Sequence, residues 1–487
     1  MTDIGAPRRG IAWAGAVNLA AGAIGSVTGL VLAAVVGRQL GPGGAGTYFL
    51  VVAAFMILSN VAELGADTGL VRYVSRARAT GRTEEIPHLV RAAVKPVVLV
   101  GLGLVAVASA IAYAQPDLLP NVSSSFVVGA AVLVVLSSLT AVVLGVVRGL
   151  GDVTTYPALQ NITLPLLRLG GIVGVLLAGL GVTAVLIAWL APIPLILLVA
   201  VAVVWRMVER EPRLPEAVRR GVSRDFWSFS ATRGVAAAVE ILLEWADVLI
   251  VGALTSPTAA GIYAVATRCA RAGEVVQQAA RIAIGPPVSA AFARKDHDEI
   301  RRMYGGVTAA MIWVSWPFYA VLAVFSEAVL SIFGDGFSDG ATALGILAMA
   351  MAVATAAGAV QSILLMGGRG SWQLADKTTV LVVNVALDFA LVPWWGIEGA
   401  AVAWAIAILA DTALVVWQVQ GLMGLRPQFT YAVRAALLAV GVAATPLAAA
   451  RFAFGPSLSV LLSSLGVIVP TYLVVGWILR ARLGLKQ

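Results

Sequence analysis

Residues 36–48 read VGRQLGPGGAGTY, and residues 251–263 read VGALTSPTAAGIY. Val36, Gly37, Pro42, Ala45, Gly46 and Tyr48 recur as Val251, Gly252, Pro257, Ala260, Gly261 and Tyr263, each shifted by 215 residues. Further along, Gly181 and Ala188-Trp189 recur as Gly396 and Ala403-Trp404 at the same offset. Glycine and proline suit turns wherever they occur, so either block alone is weak. The shared offset makes them two copies of one unit.

Each block sits where an apolar stretch turns back on itself. A membrane helix needs about 20 consecutive apolar residues. Stretches of that kind run over 11–36, 47–70, 93–114, 124–147, 157–179, 181–204, 226–251, 261–285, 304–325, 342–366, 376–393, 400–420, 432–450 and 458–479. The expected fold is an all-α integral membrane protein of about fourteen transmembrane helices. Helix 1 matches helix 7 and helix 6 matches helix 12. Six helices separate the copies, so both enter the membrane in the same direction. This is a parallel repeat about the membrane normal, a plan in which transporters bind substrate between two halves. The expected domains are a first lobe over 1–204, a cytoplasmic linker over 205–225, a second lobe over 226–420, and helices 13 and 14 with a tail over 421–487.

Composition agrees with a lipid solvent. The 487 residues are 60% hydrophobic and 12% charged, against roughly 25% charged in soluble domains. Mean hydropathy is +0.94. The net charge of +8 would suggest nucleic acid in a soluble chain. Here the basic residues lie between apolar stretches and report topology instead, so no nucleic-acid partner is expected. With the N-terminus cytoplasmic, 26 of the 33 Lys and Arg fall on inner loops or inner helix ends, from Arg8 and Arg9 to Lys486. Only Arg38 and Arg451 fall outside, and Arg168, Arg233, Arg268, Arg271 and Arg281 lie within helices. Both termini are therefore expected in the cytoplasm. The run from Ile11 to Val36 is too long for a signal peptide and has no clear cleavage site, so it reads as the first membrane helix.

Catalytic signals are absent. There is one cysteine, Cys269, and two histidines, His88 and His297, far apart in charged loops. That excludes an intrachain disulfide and gives no zinc spacing. No GxSxG, Walker or dinucleotide-binding element occurs in context. The chain reads as a non-enzyme with no cofactor or metal.

Ionisable residues inside a membrane are costly and usually face a cavity or a partner. Helix 7 carries Arg233, Glu240, Glu244 and Asp247, spaced to share one face. Helix 8 carries Arg268, Arg271, Glu274, Gln278 and Arg281. Matching depths set Glu244 opposite Arg268 and Glu240 opposite Arg271. These pairs read either as structural glue or as a charged cavity wall, and arginine suits the second because its fork holds phosphate oxygens. Arg168 falls near mid-membrane in helix 5. Arg38 at the outer mouth reads as a cavity cation or as a snorkelling end residue. Candidate substrate contacts are thus Arg38, Arg168, Arg233, Arg268, Arg271 and Arg281. Candidate ion-coupling acids are Glu240, Glu244, Asp247, Asp388 and Asp411. Glu63 and Asp67, near Arg72, read as an interfacial ion pair. Trp205, Trp394-Trp395 and Trp477 read as an interfacial belt, with a sugar-stacking platform as the alternative at Trp394-Trp395.

Leu40-Gly41-Pro42, Ala45 to Tyr48, Leu64 to Leu70 with Val71-Arg72, Asp247 to Gly252, Ala260 to Tyr263, and Asn384 through Pro393 to Ala401 together resemble the polysaccharide transporter (O-antigen flippase) family. That family belongs to the multidrug/oligosaccharidyl-lipid/polysaccharide exporter superfamily. The likeness spans nearly the whole chain. It implies two six-helix lobes around a central cavity with two extra C-terminal helices. It also implies export of a polyprenyl-pyrophosphate-linked oligosaccharide from inner to outer leaflet, driven by an ion gradient through a basic cavity. The implied setting is the bacterial cytoplasmic membrane, with the lipid bilayer and polysaccharide polymerase or ligase machinery as partners. The acidic row on helix 7 departs from a purely cationic cavity. A peptidoglycan-precursor flippase and a multidrug antiporter of the same superfamily are the rival readings. Helices 13 and 14 and the intramembrane arginines count against the antiporter.

Overall fold

A computed structural model describes residues 6–114, 123–208, 215–426 and 429–479. Lipid offers backbone groups no hydrogen bonds, so a spanning chain must satisfy them within helices or closed barrels. Among the described residues there is no strand. We number the helices α1 (6–40), α2 (42–79), α3 (Ile86–Ala114), α4 (Ser124–Gly149), α5 (Pro157–Leu177), α6 (Val182–Met207) and α7 (Glu216–Leu254). There follow α8 (257–294), α9 (His297–Val324), α10 (341–366), α11 (370–395), α12 (397–422), α13 (429–454) and α14 (Leu458–Leu479). The fourteen expected segments correspond to these fourteen helices.

Ten helical stretches among the described residues have the length and hydropathy to cross a bilayer, and two of these, Ala20–Ala79 and Gly370–Leu422, each contain two spans. The missing two spans are α7 and α8, whose rows of charge lower their hydropathy. The turns between the two spans of each double stretch fall at Gly41 (φ 65°) and Gly396 (φ 57°), and α2 is itself interrupted at Leu64-Gly65 (φ 54° and 70°). At the first, Pro42 opens α2, where its missing N–H costs nothing. The second copy makes the equivalent turn differently. Ser256 is extended and its side chain accepts from Ala259 N at 3.1 Å before Pro257 opens α8.

The described residues form two compact units. One comprises residues up to Leu32 and Thr47–Ala246; the other comprises Ala33–Gly46 and residues from Asp247 onward. Of the expected linker, residues 209–214 lie outside the described residues, as do Arg480, Arg482 and Lys486. Residues 216–225 form the first turns of α7. They are fixed to α3 by His88, whose Nε2 lies 2.8 Å from Ser223 Oγ and 3.0 Å from the Arg219 carbonyl.

Close helix packing in lipid relies on small residues. In the first unit a Cβ on Gly145 would stand 2.6 Å from the Asp67 carbonyl oxygen, and one on Gly149 2.7 Å from Val74 Cβ. α2 therefore lies directly on α4, over a core that includes Leu70, Val74, Leu89, Val142, Val146 and Phe226. After α4, the Asp152 side chain accepts from Thr154 N and Thr155 N at 2.9 and 3.0 Å. Partial burial pushes that carboxyl up, but the Thr155 and Thr154 hydrogen bonds outweigh it and hold it at about 2. A depressed carboxyl stabilises above its ordinary 3.8 and loses that effect only as pH falls through about 2. This loop is therefore indifferent to pH near neutrality.

In the second unit, α13 and α14 pack on α9 around Ile312, Ala435, Leu447 and Leu461. Tyr472 OH donates to the Trp313 carbonyl at 2.8 Å, and the two rings stack with centroids 6.0 Å apart.

The same unit contains residues 36–46 of the first repeat block, seated on the second. A Cβ on Gly46 would run into the Pro257 carbonyl oxygen and lie 3.2 Å from Gly261 N; a Cβ on Gly261 would run into the Pro42 carbonyl oxygen and lie 2.7 Å from Gly46 N. The duplicated glycines thus meet each other reciprocally, each against the other copy's proline. Nearby, Arg38 Nε donates to the Ile332 carbonyl at 2.7 Å.

Candidate functional site

α7, α8 and α11 build a buried polar cluster in the second unit. Asn384 and Asp388 are four residues apart on α11 and so project from one face. Asn384 Nδ2 donates to Asp388 Oδ2 at 2.8 Å and to Asp247 Oδ1 at 3.2 Å. Tyr263 OH donates to Asp247 Oδ2 at 3.2 Å. Asp247, Asn384 and Asp388 are 5%, 1% and 0% exposed. Asn384 Oδ1 has no hydrogen-bond partner among the described residues, and the Asp388 and Asp247 carboxyl groups meet each other directly. Burying a polar atom unpaired costs about 1–3 kcal/mol. One unpaired amide oxygen beside two facing carboxyl groups makes a cluster of hard oxygen acceptors, a type of group able to receive a proton or a small cation.

Two of the candidate acids on α7 are elsewhere. Glu240 and Glu244 are exposed. The seven-residue step from Glu240 to Asp247 keeps the face but moves about 10 Å along the axis, which separates exposed from buried. Glu240 bonds Arg233 of its own helix at 3.4 Å, with both side chains well exposed, rather than a residue of α8. Exposed pairs of this kind contribute about 0–1 kcal/mol. Arg271 bonds Glu274 at 3.3 Å, and Arg268 donates to the Ala264 carbonyl at 3.1 Å. Arg38 is held by the Ile332 carbonyl, and Arg281 is exposed.

Asp411 forms a second polar centre. Lys377 Nζ lies 2.7 Å from Asp411 Oδ2, and Gln361 Nε2 donates to the same oxygen at 2.8 Å. Lys377, one of the 26 basic residues read as inner-loop or inner-helix-end cations, lies two turns into α11.

Arg168 in α5 is fixed but not neutralised. Its Nε donates to the Trp189 carbonyl at 3.0 Å, and its guanidinium carbon stands 3.9 Å from the Trp189 ring centroid. No carboxylate pairs with it among the described residues. A cation stacked on an aromatic face keeps its remaining N–H groups for an anion.

The Asp67–Arg72 pair expected from the sequence does not form. Asp67 bonds Arg148 of α4 at 3.1 Å, and Arg72 lies over the Phe229 ring at 4.3 Å. Five helical positions put Arg72 about 140° round from Asp67, while the glycine-lined contact with α4 brings Arg148 to it. Trp205, Trp394, Trp395 and Trp477 are all exposed, in keeping with an interfacial belt. Among the described residues no group of His, Cys, Asp and Glu is disposed to hold a metal ion.

The fold and sequence have known counterparts. The chain is 24% identical over 405 residues to the probable low-salt glycan biosynthesis flippase Agl15 of Haloferax volcanii, covering 81% of this chain and 80% of that one. Its fold is similar to that of the lipid II flippase MurJ in an inward closed conformation (TM-score 0.72, 11% identity, 94% and 97% of the two chains). It is also similar to that of an inward-facing multidrug resistance MATE family transporter of the MOP superfamily (TM-score 0.65, 13% identity, 80% and 93%). The sequence model of one family, described as polysaccharide biosynthesis protein, matches residues 35–341. With that match running from the C-terminal end of α1 to the start of α10, this multi-pass membrane protein belongs to the polysaccharide biosynthesis protein family.

Proposed function

We propose that the chain is a flippase, and not an enzyme, that carries a polyprenyl-pyrophosphate-linked oligosaccharide from the inner to the outer leaflet of a bacterial cytoplasmic membrane by alternating access. The observation that carries this reading is the sequence relationship over four-fifths of both chains to a protein named as a glycan flippase, within a polysaccharide biosynthesis family. A fold shared with a lipid II flippase and a multidrug transporter is compatible with either cargo. The glycan is favoured by sequence.

The side chains fit the reading. Arg168, stacked and without a carboxylate partner, is suited to a pyrophosphate oxygen. Asp247, Asn384 and Asp388 are suited to the coupling ion. Intramembrane ionisable groups of transporters mark substrate and ion pathways, and an ion drives a cycle only through unequal affinity for its two states. Asp411 is held in a direct ion pair with Lys377 at 2.7 Å, whereas Asp247 and Asp388 share one site through Asn384, so we assign the coupling role to the first cluster.

The test is reconstitution into vesicles loaded with lipid-linked oligosaccharide, with flipping followed by accessibility of the sugar to an added lectin. Arg168→Ala is expected to abolish flipping while the protein inserts and elutes as wild type, and Arg168→Lys to restore only a minor part, since lysine keeps the charge without the planar stack. Full activity in both variants removes Arg168 from the substrate path.

A further inference from the structure

α11 and α12 part at the turn around Gly396 and are joined again near their far ends by two buried side chains. Asp376, on the second turn of α11, is 5% exposed, and Gln418, near the end of α12, is 6% exposed. Gln418 Nε2 donates to Asp376 Oδ1 at 2.9 Å. Asp376 Oδ2 and Gln418 Oε1 are the other ends of the same two planar groups. Both are buried and have no hydrogen-bond partner among the described residues. At this point α12 widens to a π-helix, Gln418–Leu422, a distortion frequent at functional sites.

The deficit is one hydrogen atom. With the carboxyl group ionised, both unpaired atoms accept and neither donates, and burying them so is costly. A protonated carboxyl group has one O–H donor. With the proton on Oδ2, the acid donates to Gln418 Oε1 while it accepts from Nε2, and the two groups close a ring of two hydrogen bonds. The same proton removes a buried charge.

The surrounding charges are committed elsewhere. Asp411 of α12 and Lys377 of α11 lie within electrostatic reach of Asp376, but they are paired with each other at 2.7 Å. α10 carries no charged side chain between 341 and 366. On α9, Arg301 is paired with Asp298 at 3.1 Å and donates to the Gly424 carbonyl at 3.1 Å. On α8, Arg294 is paired with Glu299 of α9, and Arg281 is exposed beside the cavity that Asp411 lines. Arg369 and Arg426, beyond the two helix ends, are exposed.

We propose that Asp376 is a proton-binding residue, held as a neutral acid in a two-hydrogen-bond pair with Gln418. It is separate from the coupling cluster, since twelve residues along α11 set it about 18 Å from Asp388. Release of the proton leaves two acceptors facing each other. The pair therefore holds α11 to the last turns of α12 while the proton is bound and loosens when it leaves. The proposal does not depend on the cargo.

The test is infrared spectroscopy of the purified full-length protein in detergent across a range of pH, with thermal unfolding as the check on folding. A neutral carboxyl group absorbs at a higher frequency than a carboxylate or an amide. The wild type is expected to show that absorption at low pH and to lose it as pH rises. Asp376→Asn is expected to lack one component of it at every pH, and Asp388→Asn to retain that component. Asp376→Asn should fold as wild type, because its amide donates to Gln418 Oε1 where the acid's proton did. Gln418→Leu keeps the acid and removes the amide, so the component should shift in frequency; this variant also serves should Asp376→Asn unfold. A spectrum from which Asp376→Asn removes nothing at any pH overturns the proposal. A component lost in Asp376→Asn but unmoved by Gln418→Leu overturns the pairing with Gln418.

Discussion

Gly46→Ala and Gly261→Ala are each expected to reduce flipping by about tenfold or more, although alanine adds a single methyl group and favours helix. At either position the new Cβ meets a backbone carbonyl, that of Pro257 or Pro42, and backbone cannot rotate aside as a side chain does. Overpacking a close contact costs about 1–3 kcal/mol, and each 1.4 kcal/mol is about tenfold in a population. The hairpin around Pro42 would therefore sit on the Pro257 turn far less often. If the proposed alternating-access cycle opens this seat, the hairpin must return to it once per turnover. The control is Gly103→Ala, where a Cβ has nothing within 4 Å; it should transport as wild type. A second readout is a cysteine pair at Gly43 and Thr258, which face each other at 3.4 Å from a Gly43 Cβ to Thr258 Oγ1. In a Cys269→Ala background the pair should crosslink, and Gly46→Ala should suppress the crosslink. Wild-type flipping in both glycine variants would mean that the seat is not part of the cycle.

Asp388→Asn is expected to uncouple transport from its driving gradient. The replacement keeps the shape and the hydrogen bond to Asn384 but removes the charge that a proton or cation neutralises. Coupling between sites is commonly about 5–150-fold, so flipping under a gradient should fall to the level seen without one. Asp247→Asn should behave alike because one amide, Asn384 Nδ2, bonds both acids. Imposing sodium and proton gradients separately on the vesicles identifies the ion. Glu240→Gln should leave the gradient dependence in place, since Glu240 is exposed and bonded to Arg233. Retention of full gradient dependence in both aspartate variants would exclude this cluster from coupling.

The fourteen helices were legible because lipid demands long apolar runs, and the repeat was legible because two turn blocks share one offset. The meaning of that repeat was not. Gly46 and Gly261 each read as an ordinary turn glycine, and their mutual contact exists only once the chain is folded. Asp247 and Asp388 stood out as charges in apolar helices. Asn384, which joins them, is a neutral amide and carried no such signal, although its four-residue spacing from Asp388 was there to be read. Lys377 was hidden for the opposite reason: close to a helix end, a lysine reads as topology. Charge matching by depth placed Glu240 opposite Arg271, but depth does not fix the side-chain partner, and Arg233 on the same helix took that place.

The most direct test of the flippase reading is to delete the gene and separate the cell's lipid-linked intermediates by leaflet accessibility, with mass spectrometry to identify them. Accumulation of a polyprenyl-pyrophosphate-linked oligosaccharide on the cytoplasmic face, reversed by the wild-type gene and not by Arg168→Ala, is the expected result. An unchanged lipid pool accompanied by new sensitivity to drugs would contradict it and identify the protein as a multidrug exporter.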